Sequence, residues 1–216
     1  RRLGKKRIYN YVKNFGLTKK TGVDLPGESC GIMFDYKNFH ELEQATVAFG
    51  QGISVTPLQL VSAISACVNG GYLLQPHILK EVLSNNNELV YQTKRKVKRQ
   101  VIKEETSKKV RDALESVVTD GGGRNAYIDG YRIGGKTGTA QKAVNGSYVG
   151  GGYILSFVGI APIDDPQIVL YIAMDNPKNC IQYGGTTVAP IARKMFLDIL
   201  PALNVKKVKS QRQKSF

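Results

Sequence analysis

The sequence predicts an α+β fold, an antiparallel sheet flanked by helices, from three observations. Helical patterns recur through the first half, three strands with tight turns fill residues 131–174, and another helical pattern follows them. Hydrophobic residues are 42% of the 216 and charged residues 22%, enough to bury one sizeable core and too evenly mixed for a disordered or collagen-like chain. One domain, or most of one, is expected over residues 1–203, with 204–216 as a basic tail or linker.

Ile8, Val12 and Phe15 recur at helical spacing before Gly16 stops the pattern. Residues 22–52, rich in Gly, Asp, Pro and Asn, read as a loop. Thr56, Pro57 and Gln59 then spell a capping box with proline at the first helical position, and the helix they open closes at Asn69-Gly70-Gly71. Its apolar residues Leu58, Leu60, Val61, Ala63, Ile64, Cys67 and Val68 cover most of the circumference, which predicts a buried central helix. Short strands are expected at Tyr72–Leu74, His77–Leu83 and Glu88–Tyr91, the last two joined by Ser84-Asn85-Asn86-Asn87.

A charged stretch leads into a helix over about 104–119, with Val110, Ala113, Leu114, Val117 and Val118 as its apolar stripe and Gly121 as its stop. Tyr131–Gln141, Ile154–Pro162 and Ile168–Met174 read as an antiparallel meander turning at Asn145-Gly146 and Asp164-Asp165-Pro166. The third run is almost continuously apolar and is expected to be covered on both faces, central in its sheet. The last helix, from about Thr187 to Leu200, tolerates Pro190 in its first turn and is expected to turn Val188, Ile191, Met195 and Ile199 inward.

Lysine and arginine number 31 against 17 acidic residues, a net of +14. The surplus is local: eight basic and no acidic residues in 1–20, nine and two in 94–111, five and none in 206–216. Solvated helix faces and a basic tail account for it, or attraction to an anionic polymer such as cell wall, lipid headgroup or nucleic acid. No aromatic-interleaved signature selects nucleic acid, which is not expected as a partner. Cys30, Cys67 and Cys180 form no paired spacing, so no disulfide or zinc framework is implied, and Cys67 reads as a small core residue. With His40 and His77 the only histidines, no metal site or cofactor is expected. No run reaches the roughly 18–20 apolar residues of a spanning helix, so a membrane anchor is expected outside this chain. The opening Arg1-Arg2, without Met, is expected of a piece of a longer polypeptide.

The chemistry converges on Lys136, where two patterns compete. Gly130 through Thr137 satisfies the phosphate-loop spelling G-x-x-x-x-G-K-[ST], and Ile168–Asp175 imitates an apolar strand ending in a magnesium-holding Asp. A phosphate loop opens a helix, however, and Gly138, Asn145-Gly146 and Gly150-Gly151-Gly152 forbid one downstream. P-loop nucleotide binding therefore stays a remote alternative. The other pattern is Lys136-Thr137-Gly138 on an exposed strand.

Its surroundings give that pattern weight. Gly134-Gly-Lys-Thr-Gly-Thr-Ala-Gln141, Ala48-Phe-Gly-Gln-Gly-Ile-Ser-Val-Thr-Pro-Leu-Gln-Leu60, Thr21-Gly-Val-Asp-Leu-Pro-Gly-Glu28, Ser156-Phe-Val-Gly-Ile-Ala-Pro162 and Asp175-Asn-Pro177 together resemble the class B penicillin-binding proteins, the monofunctional D,D-transpeptidases that cross-link peptidoglycan. The resemblance covers roughly residues 1–200, and Gln182-Tyr-Gly-Gly-Thr-Thr-Val-Ala-Pro190 draws it toward the Gram-positive division and sporulation branch. It implies the transpeptidase fold shared with serine β-lactamases, here incomplete. It implies a peptidoglycan stem peptide ending in D-Ala-D-Ala and β-lactams as ligands, and a place on the extracytoplasmic face of the bacterial membrane.

A site of this kind needs an oxyanion hole, a cation near the substrate carboxylate and a smooth strand edge. Lys136 supplies the charge, Thr137 and Thr139 offer hydroxyls, Gly138 admits substrate close to the backbone, and by resemblance the Thr139 amide donates to the oxyanion. The departure is as informative: no serine has a lysine three residues later, so the S-x-x-K nucleophile is absent. Ser84-Asn85-Asn86 and Tyr36-Lys37-Asn38 imitate the S-x-N motif but read as turn or loop. Arg1-Arg-Leu-Gly resembles the segment just past that motif, so the chain reads as the C-terminal part of a transpeptidase domain whose preceding segment, a partner, carries the attacking group. Alone it is expected to be inactive. A noncatalytic module binding an anionic cell-wall polymer is the alternative.

Overall fold

The computed structural model describes residues 2–142, 144, 148 and 152–208, and its contacts divide the chain into two compact units, Arg1–Ser107 and Lys108–Phe216. In the first, helix α1 (Gly4–Asn14) ends as expected at Phe15 and Gly16, whose φ of +81° suits glycine. Tyr9 on this helix meets Tyr36 and Phe39 edge-on at 5.1 and 5.5 Å, and Phe39 is fully buried. The stretch read as a loop also holds helix α2 (Glu41–Ala48), whose Glu43 accepts the His40 amide at 2.8 Å. That helix was hidden by the Gly- and Pro-rich sequence on either side of it.

Helix α3 (Pro57–Val68) starts with the expected capping box: Thr56 Oγ1 accepts the Gln59 amide at 3.2 Å, and Gln59 Oε1 accepts the Thr56 amide at 2.9 Å. It is not buried all round. Gln59, Ala63, Ala66 and Val68 are buried, while Leu58, Leu60, Val61 and Ile64 are only half covered. Strand β1 (Tyr72–Leu74) pairs antiparallel with β4 (Val97–Gln100), a strand that the basic composition of 94–103 disguised as a linker. Between them lies the hairpin of β2 (Glu81–Leu83) and β3 (Leu89–Gln92). The expected strand over His77–Leu83 shrinks to its last three residues because the Ile78 and Leu79 amides donate to the Asp24 carboxylate, at 2.7 and 2.9 Å, instead of to a ladder. Ser107, in the first turn of the next helix, donates to the Cys67 carbonyl at 2.8 Å and accepts the Gly70 amide at 3.1 Å.

That helix, α4 (Glu104–Thr119), carries into the second unit, where a 3-10 turn (Arg124–Ala126) leads to β5 (Gly134–Gln141), β6 (Tyr153–Ala161) and β7 (Ile168–Asp175). The expected antiparallel meander forms, in the order β5-β6-β7. The turn assigned to Asn145-Gly146 lies outside the described residues. The strand ranking is corrected: β6 is central and carries fully buried Leu155, Phe157 and Ile160, while β7 is an edge strand among the described residues. Its apolar continuity has a different cause. Ile168, Leu170, Ile172 and Met174 pack on the core, and alternate Val169 and Tyr171 are half covered on the other face.

After the short helix α5 (Gly184–Thr187), helix α6 (Ala189–Ala202) buries Ala189, Ala192, Phe196 and Leu200, with Val188 just before it. Val188 is thus correctly placed, but Ile191 and Met195 are exposed, so the inward stripe is turned by one residue, about 100°. Space decides this: Ala189 and Ala192 are fully buried, and Gly159 on β6 leaves the room that the Phe196 ring fills. Residues beyond the helix lie back on the unit, the Val208 amide donating to the Gly130 carbonyl at 2.8 Å and Lys207 standing 5.7 Å over the Tyr131 ring.

Candidate active-site strand

Strand β5 has β6 along one side and no strand on the other among the described residues. Its register sets Lys136 opposite Val158, Thr137 opposite Phe157, Gly138 opposite Ser156 and Thr139 opposite Leu155. Alternation puts Lys136 and Gly138 on one face and Thr137 and Thr139 on the other. Lys136 and Thr139 are exposed, Thr137 and Gly138 half covered. The structure thus places all four expected residues on one open strand but divides them between its faces. The Lys136 ammonium returns along the strand to donate to the Thr137 carbonyl at 2.8 Å and meets no carboxylate within 4 Å among the described residues.

Several contacts fix the strand. At its start, a β-carbon on Gly134 would run into Ile163 and Leu114, and one on Gly135 into the Phe157 ring, so glycine lets helix α4 and the core approach the backbone from opposite faces. Just before it, Arg132 donates to both Glu115 oxygens, at 2.7 and 2.5 Å, and also reaches Asp164. The fork to Glu115 raises the arginine pKa further, with the two carboxylate charges adding to it, so the guanidinium is a permanent tie from α4 to the mouth of β5.

Farther along, the Gly184 amide donates to Thr139 Oγ1 at 3.3 Å, and Asn125 Nδ2 donates to the Gly185 carbonyl at 2.8 Å. A β-carbon on Gly184 would stand 2.5 Å from the Ser156 carbonyl oxygen and 2.6 Å from that of Gly138. Tyr183 places its hydroxyl over Gly122, and the Thr137 hydroxyl is within 4.0 Å of the place a β-carbon on Gly122 would take. Gly122, Asn125, Tyr183, Gly184 and Gly185 therefore shape the Thr137/Thr139 face, and reasoning on single elements missed them as site residues. The available signal was a glycine pair at 184–185 without turn chemistry around it, beside a second glycine run at 121–123.

The phosphate-loop alternative loses its geometry. Gly130 lies in a turn, and Gly134 through Thr137 are β-strand paired to β6 instead of opening a helix. The two S-x-N imitations are a 3-10 turn at Tyr36–Asn38 and a hairpin turn in which Ser84 Oγ accepts the Asn86 and Glu88 amides at 3.3 and 3.2 Å. Both hold the backbone, as expected of turn and loop residues.

Comparison with known proteins agrees with this geometry. A family model described as the penicillin-binding protein transpeptidase domain matches residues 1–197. Stage V sporulation protein D of Bacillus subtilis is 52% identical over 216 residues, which is all of this chain and 33% of that protein. The Neisseria flavescens protein named "Probable peptidoglycan D,D-transpeptidase PenA" is 31% identical over 94% of this chain and 48% of its own length. Among solved structures, penicillin-binding protein 3 of Mycobacterium tuberculosis complexed with ampicillin superposes with a TM-score of 0.88 at 32% identity, covering 99% of this chain and 49% of that one. The transpeptidase domain of Burkholderia pseudomallei penicillin-binding protein 3 gives 0.81 at 35% identity, covering 94% and 59%. The chain spans between a third and three-fifths of the length of these relatives. With the strand, its glycine-lined supports and this agreement together, the chain belongs to the penicillin-binding protein transpeptidase family.

Proposed function

We propose that this chain is the substrate-aligning part of a peptidoglycan D,D-transpeptidase that β-lactams acylate, working with a serine and lysine supplied by sequence outside it. The observation that carries the reading is the open edge of β5, held by Gly184 on Thr139 and by Arg132 at its entry while Lys136 and Thr139 remain exposed and Thr137 half covered. An extended stem peptide ending in D-Ala-D-Ala can lie along such an edge through main-chain hydrogen bonds. Lys136 contributes a positive charge for the terminal carboxylate, the Thr137 and Thr139 hydroxyls are further donors to it, and Gly138 leaves the backbone open. Serine attack on the penultimate carbonyl makes an acyl ester and releases the terminal D-alanine. The Thr139 amide is then in the strand position from which it donates to the developing oxyanion.

The 52% identity to a stage V sporulation protein supports a sporulation role in the Gram-positive branch. Among the described residues no helix is long and apolar enough to cross a membrane, and the extracytoplasmic placement proposed here requires an anchor elsewhere in the protein.

The test compares Lys136→Ala with Lys142→Ala in the full-length protein. Lys142 lies six residues on, roughly 20 Å at strand rise, and is paired with Asp175 at 2.5 Å. A charge-assisted contact in a partly dry cleft contributes about 1.5–3 kcal/mol, or about ten- to a hundredfold in rate if felt in the transition state. Second-order acylation by a labelled penicillin should fall by that factor in Lys136→Ala only, with circular dichroism unchanged. Equal rates in the two variants would make Lys136 ordinary strand surface.

A further inference from the structure

The first unit contains a cavity of roughly 190 Å³ that the transpeptidase reading does not use. It lies between the last turn of α1, the segment 18–21, the β1–β4 pair and the start of α3. Its lining includes five cations, Lys13, Lys19, Lys20, Lys98 and Arg99, and no carboxylate. Thr18 and Ser62 add hydroxyls, and the floor is Gln59, which is fully buried and spent on its own bonds, donating to the Lys19 carbonyl at 2.7 Å. That bond fixes the backbone carrying Lys19 and Lys20. Opposite, the Lys98 ammonium donates to the Thr21 carbonyl at 2.5 Å, which brings the β4 cation to the same segment.

The acid that could neutralise this cluster is engaged. Glu28 accepts the Thr21 amide and hydroxyl at 2.5 and 2.6 Å and the Gly22 amide at 2.9 Å, and it attracts Lys20 and Lys98 from there. It does not line the cavity. Burial lowers the pKa of Lys98; Glu28 opposes that effect, and Arg99 and Lys96 add to it. Five cations and one engaged carboxylate around a space of this size leave charge that a bound anion would compensate.

We propose that this cavity binds a phosphate-bearing anion. The Lys13 ammonium stands 5.7 Å over the Tyr9 ring, which leaves the cations of the 19–20 segment and of β4 for a ligand. A single carboxylate carries one charge and two acceptor oxygens, too few for these cations together with the Thr18 and Ser62 hydroxyls; a phosphate monoester or pyrophosphate carries two or more charges and three or more acceptors. The site is formed entirely by residues 13–99, so it stands whether or not the Lys136 assignment does.

The probe is inorganic pyrophosphate titrated into the full-length protein by calorimetry at physiological salt. Saturable binding is expected, weakened about tenfold by Lys98→Gln and by Lys19→Gln. Lys19→Gln serves as the second variant because its side chain is exposed and its substitution leaves the Thr21 contact of Lys98 in place. Lys37→Gln, outside the cavity, should bind as the unsubstituted protein does. Competition by phosphatidylglycerol vesicles assigns the phosphate to a lipid headgroup, and indifference to them assigns it to a soluble ligand. Absence of saturable binding, equal weakening by Lys37→Gln, competition by acetate at equal concentration, or affinity unchanged in both cavity variants would overturn the proposal.

Discussion

Replacing Gly184 by alanine probes the support of β5 without touching a residue expected to contact substrate. The backbone there is not in the left-handed region, so alanine costs nothing in φ, and the whole effect is steric. The added carbon would stand 2.5 Å from the Ser156 oxygen and 2.6 Å from the Gly138 oxygen, against a practical lower limit of 3.0 Å. Both neighbours are main chain in a paired ladder and cannot turn aside, so α5 must withdraw by about 0.5 Å at the least and by nearly 1 Å to reach ordinary contact. The hydrogen bond to Thr139 Oγ1, already 3.3 Å, then breaks. A misplacement of about 1 Å in a catalytic constellation costs about a hundredfold, equivalent to about 2.7 kcal/mol of transition-state stabilisation. Stopped-flow acylation of the full-length protein by a fluorescent penicillin should show that loss while the far-ultraviolet spectrum is unchanged. Acylation within twofold of the unsubstituted protein in Gly184→Ala would mean that α5 does not position the strand, and the account of the Thr139 face would be wrong.

Three further outcomes are expected. Glu115→Gln weakens the fork on Arg132 and should destabilise the second unit by about 1–2 kcal/mol, discounted for partial exposure, in equilibrium urea unfolding; no change would mean that the pair only decorates α4. Asp24 is held below its ordinary pKa by the Leu79 and Ile78 amides, and Glu28 likewise by the Thr21 hydroxyl and the Thr21 and Gly22 amides, which outweigh the opposing effect of its burial. Their stabilisation is complete above the ordinary carboxylate values and is lost as pH falls through the lowered ones, so exchange at the amides of Thr21, Gly22, Ile78 and Leu79 should lose its protection in acid before the β5–β6 ladder does; simultaneous loss would refute it. The 216 residues expressed alone should form no covalent adduct with penicillin, and a stoichiometric adduct on any of their serines would sink the assignment of the nucleophile to sequence outside them.

Local chemistry was legible in the sequence wherever one residue dictates it. The capping box at Thr56–Gln59 set the start of α3 to the residue, and the run of strands 131–174 with its turn at Asp164–Pro166 gave the meander. Lys136 through Thr139 were likewise named in advance as one strand. What stayed hidden depends on partners remote in sequence. Strand β4 exists because β1 pairs with it, and nothing in a run of lysines and arginines announces that. The inward face of α6 is selected by Gly159, thirty-seven residues before Phe196, and hydrophobicity alone chose the larger Ile191 and Met195 instead. The edge position of β7 could not be told from a central one because a strand covered on one face and half covered on the other reads as continuously apolar.

The same limit explains why the residues packed around β5 were missed while the strand itself was expected. The role proposed for Lys136, Thr137 and Thr139 lies in their side chains, which a sequence displays. Gly134, Gly135, Gly184 and Gly185 act by lacking one: Gly134 admits α4, Gly135 the Phe157 ring and Gly184 the backbone of α5 closer to the sheet than a β-carbon allows, and Gly185 lets α5 approach the Gly122 carbonyl. Such crowding holds a strand edge rigid, which aligning an extended peptide requires, but a rigid open edge is also a template for another strand. Lys136 counters that hazard, because a charged side chain on an edge strand resists pairing with a second copy of itself. Its ammonium turns along the strand to the Thr137 carbonyl, and under the proposed function the same charge would also meet the substrate carboxylate. Lys136→Ala accordingly calls for sedimentation velocity beside the acylation rate: a variant that stays monomeric and acylates slowly has lost a substrate contact, whereas one that associates has lost the guard on its edge.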